Sequence, residues 1–298
     1  MQTFSSFKAG VLSLTDTREA GRGAVTLALR NLALRRKSQD GDTSFAGEFF
    51  HLTELLNKIG VDAPFCVDIA AGNGVTQSCT NSLFQKGWDG LAVELDGNKF
   101  SSLSFVLHEF QKASLARVRV TPFNVADLFS CFGVSKKFGF LNLDIDSYDL
   151  DVMRSILSSG YRPNIVSMEI NEKIPSSLYF EVPYSDEFEW EFGDFYGCSL
   201  GAAYEVMSGA GYILESLQFN NAFFIDGSLA TPRIAQLNVQ DAYARGYWQH
   251  PDRLKFFPWN ARLDYLQHLR GDDLVDAVHL LFASAPSPYD LRPLDNQS

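Results

Sequence analysis

The sequence predicts an α/β domain built on a mostly parallel seven-stranded sheet with helices on both faces, and three observations carry that expectation. From residue 65 to about 226, short apolar runs alternate with helix-length stretches, as they do where crossover helices bury both faces of a sheet. The runs at 65–69 and 90–94 contain or end in an acid, and the first opens into a turn rich in small residues. The last two runs are separated by Asn220-Asn221, a two-residue hairpin signal.

Taken in order, residues 1–60 read as an N-terminal helical extension, 61–230 as the core, and 231–298 as a C-terminal helical extension that is a candidate lid. The stretch 26–36 is helical and ends in Arg35-Arg36-Lys37, where bases suit the helix dipole without any nucleic acid. The loop Gln39-Asp40-Gly41-Asp42 follows it. Phe49, Leu52, Leu55, Leu56 and Ile59 then recur at helical spacing, with Gly60 as the cap, and this helix is expected to pack on the sheet. Strands are expected at 65–69, 90–94, 116–122, 138–144, 165–170, 212–219 and 222–225. Beyond Pro232 the pattern is helical again. Trp248, His250, Phe256, Phe257 and Trp259 there suit either core packing or a lid that stacks on flat acceptors, and the stretch from Ser284 reads as a loosely ordered tail.

In such sheets ligands bind beyond the carboxyl ends of the strands. The first strand runs through Asp68 into Ala70-Ala71-Gly72-Asn73-Gly74, where glycines let backbone amides approach a ligand. About 20 residues after that turn, Glu94 is placed to accept hydrogen bonds from ribose hydroxyls. Position 77 is Gln, so the third glycine of a dinucleotide fingerprint is missing and a nicotinamide enzyme is disfavoured. The fourth strand ends at Asp144-Ile145-Asp146-Ser147-Tyr148-Asp149 and the fifth at Glu169-Ile170-Asn171-Glu172-Lys173. Alternation puts Asp144 with Asp146, and Glu169 with Asn171, on common faces around one crevice. Converging carboxylates repel one another unless a proton, Lys173, or a hard divalent cation such as magnesium compensates. Asp146 and Asp149 also suit the capping of the following helix, whereas Asp144 lies inside an apolar run, where an unpaired charge is costly.

Val-Asp-Ile-Ala-Ala-Gly-Asn-Gly at 67–74 resembles the first motif of class I S-adenosylmethionine-dependent methyltransferases, whose Rossmann-like core has five parallel strands followed by a hairpin. The resemblance implies that Asp68, Ala70, Gly72, Gly74 and Ser78 face the methionine part of the cofactor and Glu94 the ribose, with Asn124 and Val125 near the adenine. An Asn in an ordinary Pro-initiated turn explains Asn124 equally well. Leu-Asp-Ile-Asp-Ser-Tyr-Asp at 143–149, Tyr-Arg-Pro at 161–163, Glu-Ile-Asn-Glu-Lys-Ile-Pro at 169–175, Phe-Tyr-Gly-Cys-Ser-Leu at 195–200 and Asn-Asn-Ala-Phe-Phe at 220–224 together resemble the FkbM-type branch, associated with O-methylation of sugars and secondary metabolites. Two positions depart from that pattern: Ala70 stands where the motif usually has Gly, and Asp144 where many members have Lys. The paired acids resemble instead the magnesium site of macrocin-type sugar O-methyltransferases, which implies Asp144, Asp146, Glu169 and Asn171 as ligands.

The implied activity is methyl transfer from S-adenosylmethionine to a hydroxyl of a small molecule or glycan, with Asp144, Asp146, Asp149 and Lys173 as the catalytic groups. A binding or scaffold subunit on the same fold is the alternative from another class. Composition bounds both. The 36 acids against 25 bases give a net charge of −11, which argues against a nucleic-acid backbone or anionic membrane as partner. Glu181, Asp186, Glu187, Glu189, Glu191 and Asp194 form an acidic run that reads as a solvated loop or a cation-attracting rim. The four cysteines lie far apart, without metal or disulfide spacing, and no stretch resembles a leader or reaches about 18 apolar residues, so a cytoplasmic, reducing location is expected. A homo-oligomer is left open.

Overall fold

Two helices precede the sheet. The first, α1 (Arg18–Gln39), ends in Arg36 and Lys37, whose charges suit its carbonyl end. The second, α2 (Glu48–Ile59), fully buries Leu52 and Leu55 and stops at Gly60, which takes φ 65° and donates its N–H to the Leu56 carbonyl at 3.1 Å. The computed structural model describes residues 18–39, 41–61, 64–190 and 193–294, with side chains from residue 26 onward. The expected helical start of the chain before residue 18, as well as Asp40 and Glu191, lie outside the described residues.

The sheet contains β1 (Phe65–Ile69), β2 (Asp89–Val93), β3 (Ala113–Ala116), β4 (Lys137–Leu143), β5 (Arg162–Glu169), β7 (Tyr212–Gln218) and β8 (Asn221–Asp226), while β6 (Leu178–Glu181) lies outside it. Their order is β3-β2-β1-β4-β5-β8-β7, parallel except for β8, which runs antiparallel to both β5 and β7. This is the expected Rossmann-like α/β fold. The connecting helices are α3 (Thr80–Gln85), α4 (Gly97–Leu107), α5 (Val125–Cys131), α6 (Asp149–Ser158) and α7 (Leu200–Gly209). Alternate strand residues go to opposite faces. Val67, Leu91, Leu141 and Val166 pack with α5, α6 and α7, whereas Cys66, Ala92, Phe140 and Ile165 pack with α2, α3 and α4. Removing such side chains from water is the main driving force for both layers, at about 1.5–3 kcal/mol for each large apolar residue.

Several boundaries differ from the sequence expectation. The third strand, expected at 116–122, ends at Ala116, so Arg117-Val118-Arg119-Val120 continue past the sheet edge. The hairpin turns on Phe219-Asn220, not Asn220-Asn221. Phe219 takes φ 59° because its ring is buried among Phe45, His250 and Phe256, and its N–H bonds the Gly246 carbonyl at 3.1 Å. Packing here overrides the preference for Asn in the left-handed region.

Beyond the hairpin come α8 (Val239–Tyr243), a π-helical turn (Ala244–Trp248), α9 (Arg253–Phe256), a 3-10 stretch (Pro258–His268) and α10 (Gly271–Leu281). Phe256 and Phe257 pack onto Phe45 and Phe219, and Trp248 lies beneath the Arg253 guanidinium, so these aromatics make packing contacts. The expected loose tail instead contains β9 (Asp290–Pro293), antiparallel to β6, because Leu291 and Tyr289 join an apolar cluster with Phe180, Phe195 and Phe282. Residues 295–298 lie outside the described set. Among the described residues, no helix is long and apolar enough to cross a membrane.

Candidate functional site

A crevice of about 760 Å³ opens beyond the carboxyl ends of β1, β2 and β4. Its size is in the range of small-molecule sites. The turn after β1 is built for close approach. Ala70 takes φ 66°, a conformation that suits glycine, and its strain is the structural counterpart of the motif departure. At Gly72, with φ 58°, an added Cβ would meet no atom within 4 Å, so bare backbone faces the crevice. The Gly72 N–H donates to Glu94 Oε2 at 2.8 Å, and the Asp96 N–H to Glu94 Oε1 at 2.7 Å. Glu94 is thus buried at the end of β2 with its carboxylate oriented by two amides and one further lone pair free on each oxygen.

Other members of the expected cofactor set do different work. Asp68 lies on the crevice, but its Oδ1 accepts from Asn142 Nδ2 at 3.0 Å and its Oδ2 from the Thr80 hydroxyl, so it braces β1 against β4 and α3. Burial raises the pKa of this carboxyl, and the Thr80 and Asn142 hydrogen bonds oppose that. Gly74 does not line the crevice; its φ of 75° favours glycine, and a Cβ there would sit 2.7 Å from Leu103 Cδ1 on α4. Ser78 does line it, and its hydroxyl also accepts from the Asn81 N–H at 3.1 Å at the start of α3. Asn124 and Val125 are displaced from the crevice. Asn124 closes its own turn, accepting from the Thr121 N–H at 2.8 Å and donating to the Arg119 carbonyl at 2.8 Å, while Val125 is fully buried in the core. Past the end of β3, Val118, Arg119 and Val120 line the crevice.

At the ends of β4 and β5, Asp144, Asp146 and Glu169 bring carboxylate oxygens within 4.8 Å of one another. Burial, then Asp146 and Asp149, push the Asp144 carboxyl up to about 8. Glu169 is raised well above the ordinary carboxylate value by burial and then by Asp144. Asp146 is raised by burial as well, with Lys99 and Lys173 pulling it back toward the charged form. Glu169 Oε1 accepts from Asn220 Nδ2 at 2.9 Å, but among the described residues no hydrogen-bond donor reaches the buried Oε2. Three acids and an orphaned oxygen fit a hard divalent cation, which takes oxygen ligands.

The remaining expected groups are turned elsewhere. Asp149 is fully buried and accepts from the Ile145 N–H at 2.8 Å and the Ser147 N–H at 3.1 Å, so it shapes the loop that holds Asp146 at φ 58°. Burial lifts its carboxyl to about 7. Asn171 does not join Glu169, because β5 ends at Glu169 and strand alternation ends with it. Its amide donates to the carbonyls of Asp194 at 2.7 Å and Tyr196 at 3.1 Å. Lys173 Nζ reaches the Tyr196 hydroxyl at 3.3 Å and Glu172 Oε1 at 3.5 Å, within a buried network that includes Asn260, and only its longer-range charge reaches Asp146.

The acidic run is only partly a solvated loop. Glu181 is buried under Arg154, and Asp194 pairs with Arg262 at 2.5 Å. Phe188, Glu189 and Trp190 form one wall of the crevice. Arg119 holds that wall by donating to the carbonyls of Asp186 at 3.0 Å and of Ser185 and Phe188 at 3.3 Å each. Sequence reasoning missed this latch, Lys99 and Arg30 on α1. The one available signal was Arg119 itself, a base inside the apolar alternation Val118-Arg119-Val120.

No family model matches the chain, and no curated protein is significantly similar to it in sequence. Among solved structures it is similar to an O-methyltransferase from Bacillus cereus in complex with S-adenosylhomocysteine, at 10% identity and TM-score 0.43, over 67% of this chain and 89% of that one. It is also similar to a SAM-dependent methyltransferase from Aquifex aeolicus, at 9% identity and TM-score 0.38, over 64% and 98% of the two chains. A third is the N-terminal domain of EvdMO1 in the presence of S-adenosylhomocysteine and D-fucose, at 10% identity and TM-score 0.40, over 66% and 96%.

Proposed function

We propose that this chain is an S-adenosylmethionine-dependent methyltransferase that methylates a hydroxyl on a sugar, glycan or secondary metabolite, in line with the FkbM-type and macrocin-type resemblances of its motifs. The observation that carries the reading is the pairing, within one crevice, of the Gly72–Glu94 corner with the acid trio. Glu94 keeps lone pairs for two ribose hydroxyls, the bare backbone at Gly72 leaves room for a ligand to lie on it, and a crevice rich in carboxylates suits a sulfonium cation. When bound, S-adenosylmethionine supplies a methyl group on positive sulfur, which the acceptor oxygen attacks in line while sulfur leaves as a neutral thioether.

The chain's own groups orient the acceptor and take its proton. A neutral hydroxyl needs a base at the reacting oxygen. Without a metal on the acid trio, Asp146 fills that role, because among the three acids it is the one that lysines draw toward the charged form, and it lines the crevice. Asp149 is a positioning residue for the Asp146 loop. Asp144, Asp146 and Glu169 would hold a magnesium ion, which supplies Lewis acidity toward an oxygen ligand.

Calorimetric titration with S-adenosylmethionine, once with magnesium and once with chelator, tests the reading. Binding in both supports it, and magnesium is then titrated into the cofactor complex. Binding in neither favours the scaffold alternative.

A further inference from the structure

The crevice is lined by more acidic than basic side chains. Asp68, Glu94, Asp96, Asp144, Asp146 and Glu189 line it, and the bases facing them are Arg30, Lys99 and Arg119. A carboxylate that enters is repelled by these acids and drawn toward the bases. Arg119 is already engaged by Tyr148 and by three backbone carbonyls of the 185–188 segment. Lys99 is exposed and forms no ion pair with a described residue, but its ammonium is a point charge that cannot match both oxygens of a carboxylate in parallel as a guanidinium does. Arg30 is exposed, and it forms neither a hydrogen bond nor an ion pair with any described residue.

The fold holds Arg30 at a defined corner. The Ser102 hydroxyl on α4 donates to Asn31 Oδ1 on α1 at 2.8 Å, and Arg35 pairs with Glu109 farther along the same two helices. Lys99 lies one turn before Ser102 and Leu103 on α4, and Leu103 is the residue against which Gly74 packs. The packing of α1 on α4 therefore brings Arg30 and Lys99 into the lining of the crevice that Gly72 and Glu94 also line.

We infer that Arg30, supplied by the N-terminal extension, is the binding residue for the carboxylate at the amino-acid end of the methyl donor. The inference rests on the cofactor reading above. A donor whose ribose lies on Glu94 brings a free carboxylate into an acid-rich crevice, and Arg30 is the guanidinium there that no described residue engages. Its planar guanidinium matches a carboxylate with two parallel hydrogen bonds, and an exposed pair of this kind weakens with added salt. The N-terminal extension is thereby part of the cofactor site and not only a cover for the sheet.

The test is calorimetric titration of the full chain with S-adenosylhomocysteine and with 5′-methylthioadenosine, which keeps the adenosine and the sulfur but lacks the amino-acid end. Wild type, Arg30→Ala and Arg30→Lys are compared. Arg30→Ala is expected to weaken S-adenosylhomocysteine binding roughly tenfold while leaving 5′-methylthioadenosine unchanged, with Arg30→Lys in between. Equal weakening of both nucleosides would overturn the inference, since it would mean that Arg30 only supports α1. Unchanged affinity for both would overturn it too, since Arg30 would then contribute nothing to holding the amino-acid end. Wild-type protein that binds neither nucleoside would instead overturn the cofactor reading itself.

Discussion

Glu48 offers a perturbation whose magnitude follows from the structure. It opens α2, is 3% exposed, and is bound through Oε1 to Asn221 Nδ2 on β8 at 2.7 Å and through Oε2 to the Cys79 thiol at 3.5 Å. Burial pushes its carboxyl from 4.5 up to about 7, against the pull of both hydrogen bonds. The folded state therefore holds a proton that the unfolded chain gives up. The associated stability is fully present below pH 4.5 and is lost as the pH rises through about 7. Between pH 5 and 8 the loss amounts to roughly 2–3 kcal/mol, because each pH unit separating the folded and unfolded values is worth about 1.4 kcal/mol. Glu48→Gln keeps the shape and the Asn221 contact but cannot ionise. Its melting temperature relative to wild type is expected to rise by roughly 5 °C when the pH is moved from 5 to 8. Scanning calorimetry of both proteins at the two values measures that change, and taking the difference cancels titrations common to both. A difference that stays constant with pH would refute the reasoning, because Glu48 would then ionise as freely in the folded protein as in the unfolded chain.

Three further outcomes are expected. Glu94→Ala removes the acceptor for the Gly72 and Asp96 amides and for the ribose, so S-adenosylmethionine affinity should fall at least tenfold, or about 1.4 kcal/mol; calorimetry showing unchanged affinity would take Glu94 out of the cofactor site. Asp144→Asn should abolish magnesium binding and turnover with little effect on cofactor affinity. In wild type, magnesium binding should release a proton below pH 8 and tighten as the pH rises through that value, as seen by titration in buffers of different ionisation enthalpy. Arg119→Ala frees the 185–188 carbonyls, so amide exchange across 185–190 should quicken roughly tenfold, while Arg119→Lys, lacking the fork, should restore little of the protection; equal exchange in all three proteins would show that the wall does not depend on the latch.

The order of elements was legible in the chain because both of its signals are local. Apolar runs of strand length between helical stretches yield the parallel sheet, and Gly60 closes α2 as its spacing implies. The turn at 70–74, Glu94 and the acids at the ends of β4 and β5 were also readable, since strand ends in such a sheet define one edge. Which of the candidate side chains are engaged by other protein groups was decided by tertiary contacts. Asp68 is taken up by Thr80 and Asn142, Asn171 by the 194–196 loop, and Lys173 by Tyr196, in each case through partners distant in sequence or on another element. The end of β3 after four residues, which leaves Val118–Val120 on the crevice, shows the limit of local pattern, because an alternating apolar stretch reads alike whether or not a neighbouring strand is there to pair with it. Arg30, Lys99 and Trp190 reach the crevice only because α1, α4 and the 185–190 segment pack around it, and no local spacing in the chain encodes such a meeting of distant segments.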